Sequence, residues 1–446
     1  MKLPDYVNAC AAALRASGFQ AWAVGGCVRD SLLGRVPHDY DLCTDAAPEE
    51  TQSVFSHRQL VTAGKKHGTI GVVAPEGVVE ITTFRRDGAY SDSRHPDRVS
   101  FVRDVAADLA RRDFTVNAIA WCADEGYRDP FGGRTDLENR VLRTVGEPEA
   151  RFREDPLRIL RGVRFSLGYG LTPEENTLKE MLALAPLLDT LSRERVYGEL
   201  CGILPLLTVA AMALYAPILG RAIPELAPTV GFDQHSPHHA YDLYTHISHV
   251  VAAAPPALPL RWAAILHDVG KVPTFTRDET GRGHFYGHAG QSARMADEIL
   301  RRLTAPNVLR EQVVALIKNH MTALMPERKS LRRAVSRLGR ENVEMLLQLQ
   351  EADMGGKGMD GENGQQALAA VRRLLMEMDR EAAVPTLRDL AVKGGDLMAL
   401  GLSGRALGQC LDALLEQVVE ENIPNTREAL LAFAREFAAA LPKGSR

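Results

Sequence analysis

The 446-residue sequence predicts an α/β N-terminal head, a mixed sheet with helices, followed by a mostly α-helical remainder. Three observations carry that expectation. Strand and helix signals alternate through the first third, strand signals largely vanish after about Glu149, and prolines and glycines then punctuate long helical patterns. One hydrophobic core does not normally serve a chain of this length, so several domains are expected.

Taken in order, "MKLPDYVNACAAALRASG" predicts a short amphipathic helix with charges inside it, unlike a signal peptide. "FQAWAVGG" is a strand ending in glycines, "VRDSLLG" a short helix, "DYDLCTD" a second strand and "APEETQSVF" a capped helix. "GTIGVVAPEGVVEITTFR" holds two alternating apolar runs around Pro-Glu-Gly, a hairpin by pattern. The apolar run "CGILPLLTVAAMALYAPILG" is broken by Pro205 and Pro217 and lacks a basic flank, so buried helices are expected rather than a membrane span. A histidine-rich helical region begins near residues 231–239. "MGGKGMDGENGQ" is expected as a glycine-rich loop or linker, and the tail as short helices joined by Gly-rich turns.

Composition is that of a soluble globular protein, 45% hydrophobic and 25% charged. A formal net charge of −4 excludes a wholesale basic coat for nucleic acid but leaves room for a local basic groove. Six cysteines, at 10, 27, 43, 122, 201 and 410, form no CxxC pair, which fits reduced thiols in a cytoplasmic protein.

The chemistry concentrates in "AVGGCVRDSLLGRVPHDYDLCTD". Asp39 and Asp41, on alternate residues of a strand, are expected on one face, where two carboxylates suit Mg²⁺ ions shared with substrate phosphates. Gly25 and Gly26 let the backbone approach a triphosphate, and Arg29 adds a charge-assisted contact. Glu80, in the hairpin strand "VVEITTFR", is the candidate third carboxylate. A lone Asp-x-Asp is more often a solvated strand end; the company it keeps here reverses those odds.

"GGCVRDSLLGRVPHDYDL" resembles the signature of the class II tRNA nucleotidyltransferases, the CCA-adding enzymes, and of the related bacterial poly(A) polymerases, within the polymerase-β nucleotidyltransferase superfamily. "RRDFTVNA", "DPFGGRTDL", "EDPLRILRGVRF" and "SRERVYGEL" follow in the family's order. The resemblance implies that Arg112 and Asp113 serve the nucleotide's sugar and phosphates and that "EDPLRILRGVRF" selects the base. Pro156 suits a first helical turn, and Asp155 and Arg158, three apart, are expected on one helix face. An acceptor and a forked donor there can match the edge of cytosine or adenine without a template. Arg161 and Arg164 continue that face toward a triphosphate. The charged stretch of residues 85–110 is similar to the family's flexible loop, which accompanies addition of the terminal A.

"HAYDLYTHISHV", "WAAILHDVGK", "GHFYGHAGQSA", "LIKNHM" and "QEADMGGK" together resemble the HD phosphohydrolase superfamily. That resemblance implies metal ligands at His246, His267, Asp268 and Asp353, with His288 and His320 where larger sites hold a second metal. Such donors suit Mn²⁺, Ni²⁺, Fe²⁺ or Mg²⁺. Lys271 is placed to meet a phosphate; His235, His238, His239, His249 and His284 are expected as non-ligands.

The resulting expectation is a polymerase-β-type head at 1–140, a helical neck at 141–232 for nucleotide selection and RNA binding, an HD-type domain at 233–360 and a helical tail at 361–446 with a possible tRNA contact. The partners implied are tRNA, CTP and ATP, with no membrane. The rival expectations are a poly(A) polymerase, disfavoured by the lack of a basic C-terminal extension, and an HD phosphohydrolase whose head only binds RNA, disfavoured by the intact Asp39, Asp41, Arg112 and Asp155. No residue pattern fixes an oligomeric state.

Overall fold

A seven-stranded mixed sheet organises the N-terminal part of the chain in the computed structural model, which describes residues 1–88, 99–236, 240–358, 362–381 and 384–440. The chain divides into two compact units, Met1–Leu207 with Leu214–Ala227, and Thr208–Ala213 with Pro228–Arg446.

In the first unit the strands are β1 (Ala21–Val24), β2 (Asp41–Thr44), β3 (Leu60–Val61), β4 (Thr69–Ala74), β5 (Gly77–Thr83), the short pair β6 (Arg85–Asp87) and β7 (Val99–Phe101), then β8 (Ala120–Cys122) and β9 (Gly126–Arg128). The sheet order is β3-β4-β5-β2-β1-β8-β9, and β6 pairs with β7 alone. All four residues of β1 are buried, as an apolar run without alternation requires of a central strand. Trp22 from this strand packs in one cluster with Phe84, Val105 and Leu109. The expected hairpin forms from β4 and β5, turning at Pro75-Glu76. The first helix, Asp5–Ala16, buries Val7, Cys10, Ala11 and Leu14, a stripe at helical spacing.

Two sequence expectations need correction. The strand after the first helix pair begins at Asp41, so Asp39 lies in the approach to β2 and not on it. Asp155 is not on a helix face with Arg158. It sits at the junction between helices Pro148–Glu154 and Leu157–Tyr169, with φ −145° and ψ 99°. A following proline disfavours the helical region for the residue before it, and Asp155 obeys that restriction.

The second unit is helical. Helix Leu243–Ala253 packs on Arg340–Gly356, and Leu258–Leu266 packs on Asn307–Asn319. A separate apolar cluster in the tail joins Leu390, Leu397, Cys410, Leu414 and Leu430. The expected glycine-rich loop is shorter than the run suggests, because helix Arg340–Gly356 continues through the first two glycines and helix Glu362–Glu381 resumes beyond it. A side chain at Gly356 would put Cβ 2.7 Å from Val250 Cγ2, so glycine there permits close helix packing. The proline-broken apolar run forms helices Val209–Leu214 and Ala216–Ala222. No described helix is long and apolar enough to cross a membrane.

Candidate active sites

The first site grows from the end of β1. Gly25 turns with φ +72° and hands the chain to helix Gly26–Leu32. A Cβ on Gly25 would lie 2.8 Å from Arg112 Nη1, so the turn leaves room for a guanidinium against bare backbone. Strand register then aligns the acids. Asp41 opposes Val24 across an antiparallel ladder and Glu80 across the parallel one. Burial raises the Asp41 pKa, and the neighbouring Glu80 and Asp39 charges raise it further against the opposing pull of Arg112. Crowded negative charge of this kind is a setting that a divalent cation relieves, though Asp39, Asp41 and Glu80 do not bring three ligand oxygens within 4.8 Å of one another.

A cavity of about 500 Å³ opens beside Asp41. Among the described residues its lining includes Gly25, Gly26 and Asn117, with seven arginines (29, 111, 112, 158, 161, 164 and 195) against the three aspartates 41, 113 and 155. That excess of positive charge suits a polyphosphate in a chain that is net acidic. Asp39 and Glu80 are exposed and do not line it.

The arginines are held, not loose. Arg29, 5% exposed, donates to Asn117 Oδ1 at 2.6 Å and to Tyr169 Oη, and its guanidinium stacks 4.0 Å from the Tyr169 ring centre. Asn117 Nδ2 donates in turn to Asp113 Oδ1 at 3.0 Å. Asp113 pairs with Arg161 at 2.8 Å; burial alone would raise the carboxyl, but Arg161 and Asn117 bring it down to about 2. Arg164 pairs with Glu199 at 2.7 Å. The Phe165 ring lies under Arg29, Arg161 and Arg164 at 5.2, 5.1 and 4.7 Å. Arg112 is anchored by the fully buried Asp108 at 3.4 Å.

The two expected base-reading residues both line the cavity but do not pair with each other. Asp155 Oδ1 accepts from the Leu157 amide at 3.1 Å and Oδ2 from Arg195 at 2.7 Å. Arg158 Nη1 donates to Glu154 at 2.7 Å and Nη2 to the Arg111 carbonyl at 3.1 Å. Arg111, Asn117, Tyr169 and Arg195 are thus site residues that the sequence analysis did not single out. Arg111, Asn117 and Arg195 lay inside quoted motifs, while Tyr169 carried no local signal. Of the charged stretch 85–110, residues 89–98 lie outside the described residues; β6 and β7 pair at its base.

The second site lies in the helical unit. His246, His267, Asp268 and Asp353 are buried, and Asp268 also joins His288 and His320; within each set the donor atoms all lie within 4.8 Å of one another. The imidazoles are aimed by their other nitrogen. Nδ1 of His246, His267, His288 and His320 contacts the carbonyl of Gly356, Ala264, Phe285 and Ile317 at 3.0, 2.8, 2.9 and 2.7 Å. Each Nε2 is thereby turned toward the acids, His246 at 3.1 Å from Asp353 and His267 at 3.3 Å from Asp268. A backbone carbonyl on the far nitrogen is the arrangement by which proteins orient metal-binding imidazoles.

Burial would pull His267 down, yet Asp268 and Asp353 push its pKa up to about 10. Burial and the neighbouring His267 draw His320 down to about 4. Asp268 Oδ1 and His288 Nε2 are buried 3.4 Å apart without a hydrogen bond. Buried donors left unsatisfied around two strongly acidic carboxylates fit a cation or two bound there. Lys271 Nζ stands 2.7 Å from Asp268 and 3.0 Å from Gln234 Oε1. His235, His249 and His284 take no part in the set. His238 and His239 lie outside the described residues. A larger cavity, about 950 Å³, lies in the helical unit between residues 322–337 and the tail, near Arg333, Arg337 and Arg388, and contains neither donor set.

Comparison with known proteins agrees with this architecture. Residues 21–143 match a family model described as the Poly A polymerase head domain, and residues 277–434 one described as tRNA nucleotidyltransferase domain 2. The CCA-adding enzyme of Streptococcus gordonii is 32% identical over 428 residues, 95% of each chain. That of Geobacillus thermodenitrificans is 40% identical over 282 residues, 60% of this chain and 66% of the other. The crystal structure of Bacillus stearothermophilus CCA-adding enzyme in complex with CTP superposes with a TM-score of 0.70 at 30% identity, covering 98% of both chains. The Thermotoga maritima CCA-adding enzyme complexed with tRNA shares the fold, with a TM-score of 0.56 at 19% identity over 97% of this chain and 95% of that one. With a full-length relative at this identity and a sheet, turn and arginine-lined cavity that follow from its own sequence, the chain belongs to the CCA-adding enzymes, the class II tRNA nucleotidyltransferases.

Proposed function

We infer that this protein adds C, C and A to the 3′ end of tRNA from CTP and ATP, without a nucleic-acid template. The observation that supports this reading most is one cavity that joins Asp41, seven arginines and the Asp155 junction. In each addition the tRNA 3′-hydroxyl gives up its proton to water and its oxygen bonds to the α-phosphorus, while the bond from that phosphorus to the bridging oxygen breaks and pyrophosphate leaves with the bridging oxygen. Mg²⁺ held by Asp39, Asp41 and Glu80 would supply the positive charge that favours both the attacking and the leaving oxygen. Arg29, Arg112, Arg161 and Arg164 spread positive charge along the triphosphate, and Asp113 with Asn117 keeps that array in place for in-line transfer.

Base choice falls to Asp155 and Arg158, each braced by its own partner. Cytosine and adenine both offer an amine beside a ring acceptor. Uracil and guanine offer a carbonyl there and leave buried groups unpaired, a penalty of roughly 1–3 kcal/mol per group. The loop within residues 85–110 serves addition of the final A. On this reading residues 1–140 carry the chemistry, 141–232 the selection, and the tail within 361–446 a contact to tRNA that is read through shape and backbone.

A second activity is favoured by the histidine–aspartate set. Residues 233–360 act as an HD-type, metal-dependent phosphohydrolase, with His246, His267, Asp268 and Asp353 as one metal's ligands and His288 and His320 serving a second. Mn²⁺, Ni²⁺, Fe²⁺ or Mg²⁺ would supply a nucleophilic hydroxide at neutral pH. Lys271 is placed to meet a phosphate oxygen.

The test of the main reading is direct. Purified protein is incubated with tRNA lacking its last three nucleotides and each nucleoside triphosphate, singly and together. Growth by two residues with CTP alone, and by three with CTP and ATP, is expected to stop there. Unlimited tracts of A would favour poly(A) polymerase.

A further inference from the structure

At the far end of the helix that begins beside Asp155 stands an aromatic side chain to which the proposed chemistry gives no part. Tyr169 closes helix Leu157–Tyr169, and Gly170 stops it with φ +63°. The ring and the hydroxyl of Tyr169 both engage the segment that follows the Gly25-Gly26 turn. The Arg29 guanidinium lies 4.0 Å from the ring centre and that of Arg35 4.8 Å. Tyr169 Oη accepts from Arg29 Nη2. Burial raises the Tyr169 pKa; Arg29 opposes that rise and Asp30 supports it, so the hydroxyl keeps its proton at neutral pH. Arg35 and Arg140 donate to the carbonyls of Gly168 and Tyr169 at 3.1 and 3.2 Å, which ties down the same helical turn through its backbone.

Arg29 is the residue that these contacts control. Its Nε donates to Asp30 at 2.9 Å, Nη1 to Asn117 at 2.6 Å and Nη2 to Tyr169. Three of the guanidinium's five N–H donors are thereby used, and two remain for a ligand. A Cβ on Gly26 would lie 3.6 Å from Arg29 Nη2, so the guanidinium rests over bare backbone, and both residues line the arginine-rich cavity. Of the three partners, only Tyr169 belongs to the helix that also carries Arg158. From Leu157 to Tyr169 that helix rises about 18 Å. One end therefore stands at the base-selecting junction, and the other grips an arginine of the triphosphate array.

We propose that Tyr169 is a positioning residue that, acting through Arg29, fixes where the triphosphate lies relative to the base-selecting end of its own helix; this rests on the nucleotide-addition reading given above. A ring face with a hydrogen-bonding hydroxyl holds a guanidinium in one plane without cancelling its charge, as a second carboxylate would. The charge stays available to the phosphates while the orientation is set.

The test measures nucleotide addition by full-length Tyr169→Leu and Tyr169→Phe proteins with Mg²⁺, varying CTP, ATP and tRNA in turn. Tyr169→Leu is expected to raise KM for CTP and ATP alike about tenfold with kcat little changed. Tyr169→Phe, which keeps the ring and loses only the hydroxyl, is expected to raise it about threefold. KM for tRNA and the preference for CTP over UTP are expected to stay as they are. In an Arg29→Ala background, Tyr169→Leu is expected to add nothing further. Independently of activity, calorimetry with tripolyphosphate and Mg²⁺, a ligand without a base, is expected to show the same losses of affinity. Unchanged nucleotide KM in both variants, a second tenfold loss on top of Arg29→Ala, or an equal rise in KM for tRNA would overturn the role of Tyr169. Failure of the unaltered protein to extend tRNA would remove the functional reading alone. The tripolyphosphate affinities would then decide for Tyr169, a weaker Tyr169→Leu supporting its role and an equal one overturning it.

Discussion

At position 113 a carboxylate is buried against a guanidinium, and its neighbours decide whether that burial stabilises the fold. Arg161 and Asn117 hold the Asp113 pKa at about 2, below the usual carboxylate range, despite burial. A folded-state pKa below the unfolded one contributes stability that is complete above about pH 4 and is lost as pH falls toward 2. Asp113→Asn is therefore expected to destabilise the protein by roughly 2–3 kcal/mol at pH 7. Melting curves of the two proteins should converge as the pH falls through that window. The same substitution removes the partner of a cavity-lining arginine, so the nucleotide KM should rise with it. Residue-scale features also show where sequence patterns mislead. Asp-x-Asp spacing alone could not tell that β2 begins only at Asp41. At Asp155 a signal was present, because the residue before a proline avoids helical geometry. The prediction of a shared helix face gave way to two separately braced side chains.

Among the elements, close approaches of backbone matter as much as the side chains they carry. Gly270, in "HDVGK", has an ordinary φ of −73° and is required for contact rather than for turning. A Cβ there would lie 2.5 Å from the Ser292 amide nitrogen and 2.7 Å from the His288 carbonyl. Neither is the end of a flexible side chain, so Gly270→Ala must push helix His288–Arg302 outward and draw His288 away from Asp268. Mn²⁺ affinity measured by calorimetry on the full chain is expected to fall 10–100-fold, while nucleotide addition, in the other unit, stays near its normal rate. Elements with a clear period were legible: helix Asp5–Ala16, the β4–β5 hairpin and the broken apolar helices. Strands β8 and β9 were not, because three residues are too few to display alternation, yet they complete the sheet beside β1.

On the scale of the whole molecule, two donor sets with different chemistry belong to two compact units. A net charge of −4 gave no hint that seven arginines line one cavity, since overall balance does not report local fields. Nor could local spacing join His246 to Asp353, which helix packing brings to 3.1 Å; only resemblance to a family of known motifs suggested it. Nucleotide addition is expected to depend on the acids at the start of β2 and not on the histidine–aspartate set. The most direct measurement is incorporation of labelled CTP and ATP into tRNA lacking its 3′ end by Asp41→Asn and Asp268→Asn proteins, each checked for native folding. A loss of about a thousandfold or more is expected for Asp41→Asn, and a rate close to that of the unaltered protein for Asp268→Asn. Near-normal incorporation by the Asp41→Asn protein would contradict that dependence.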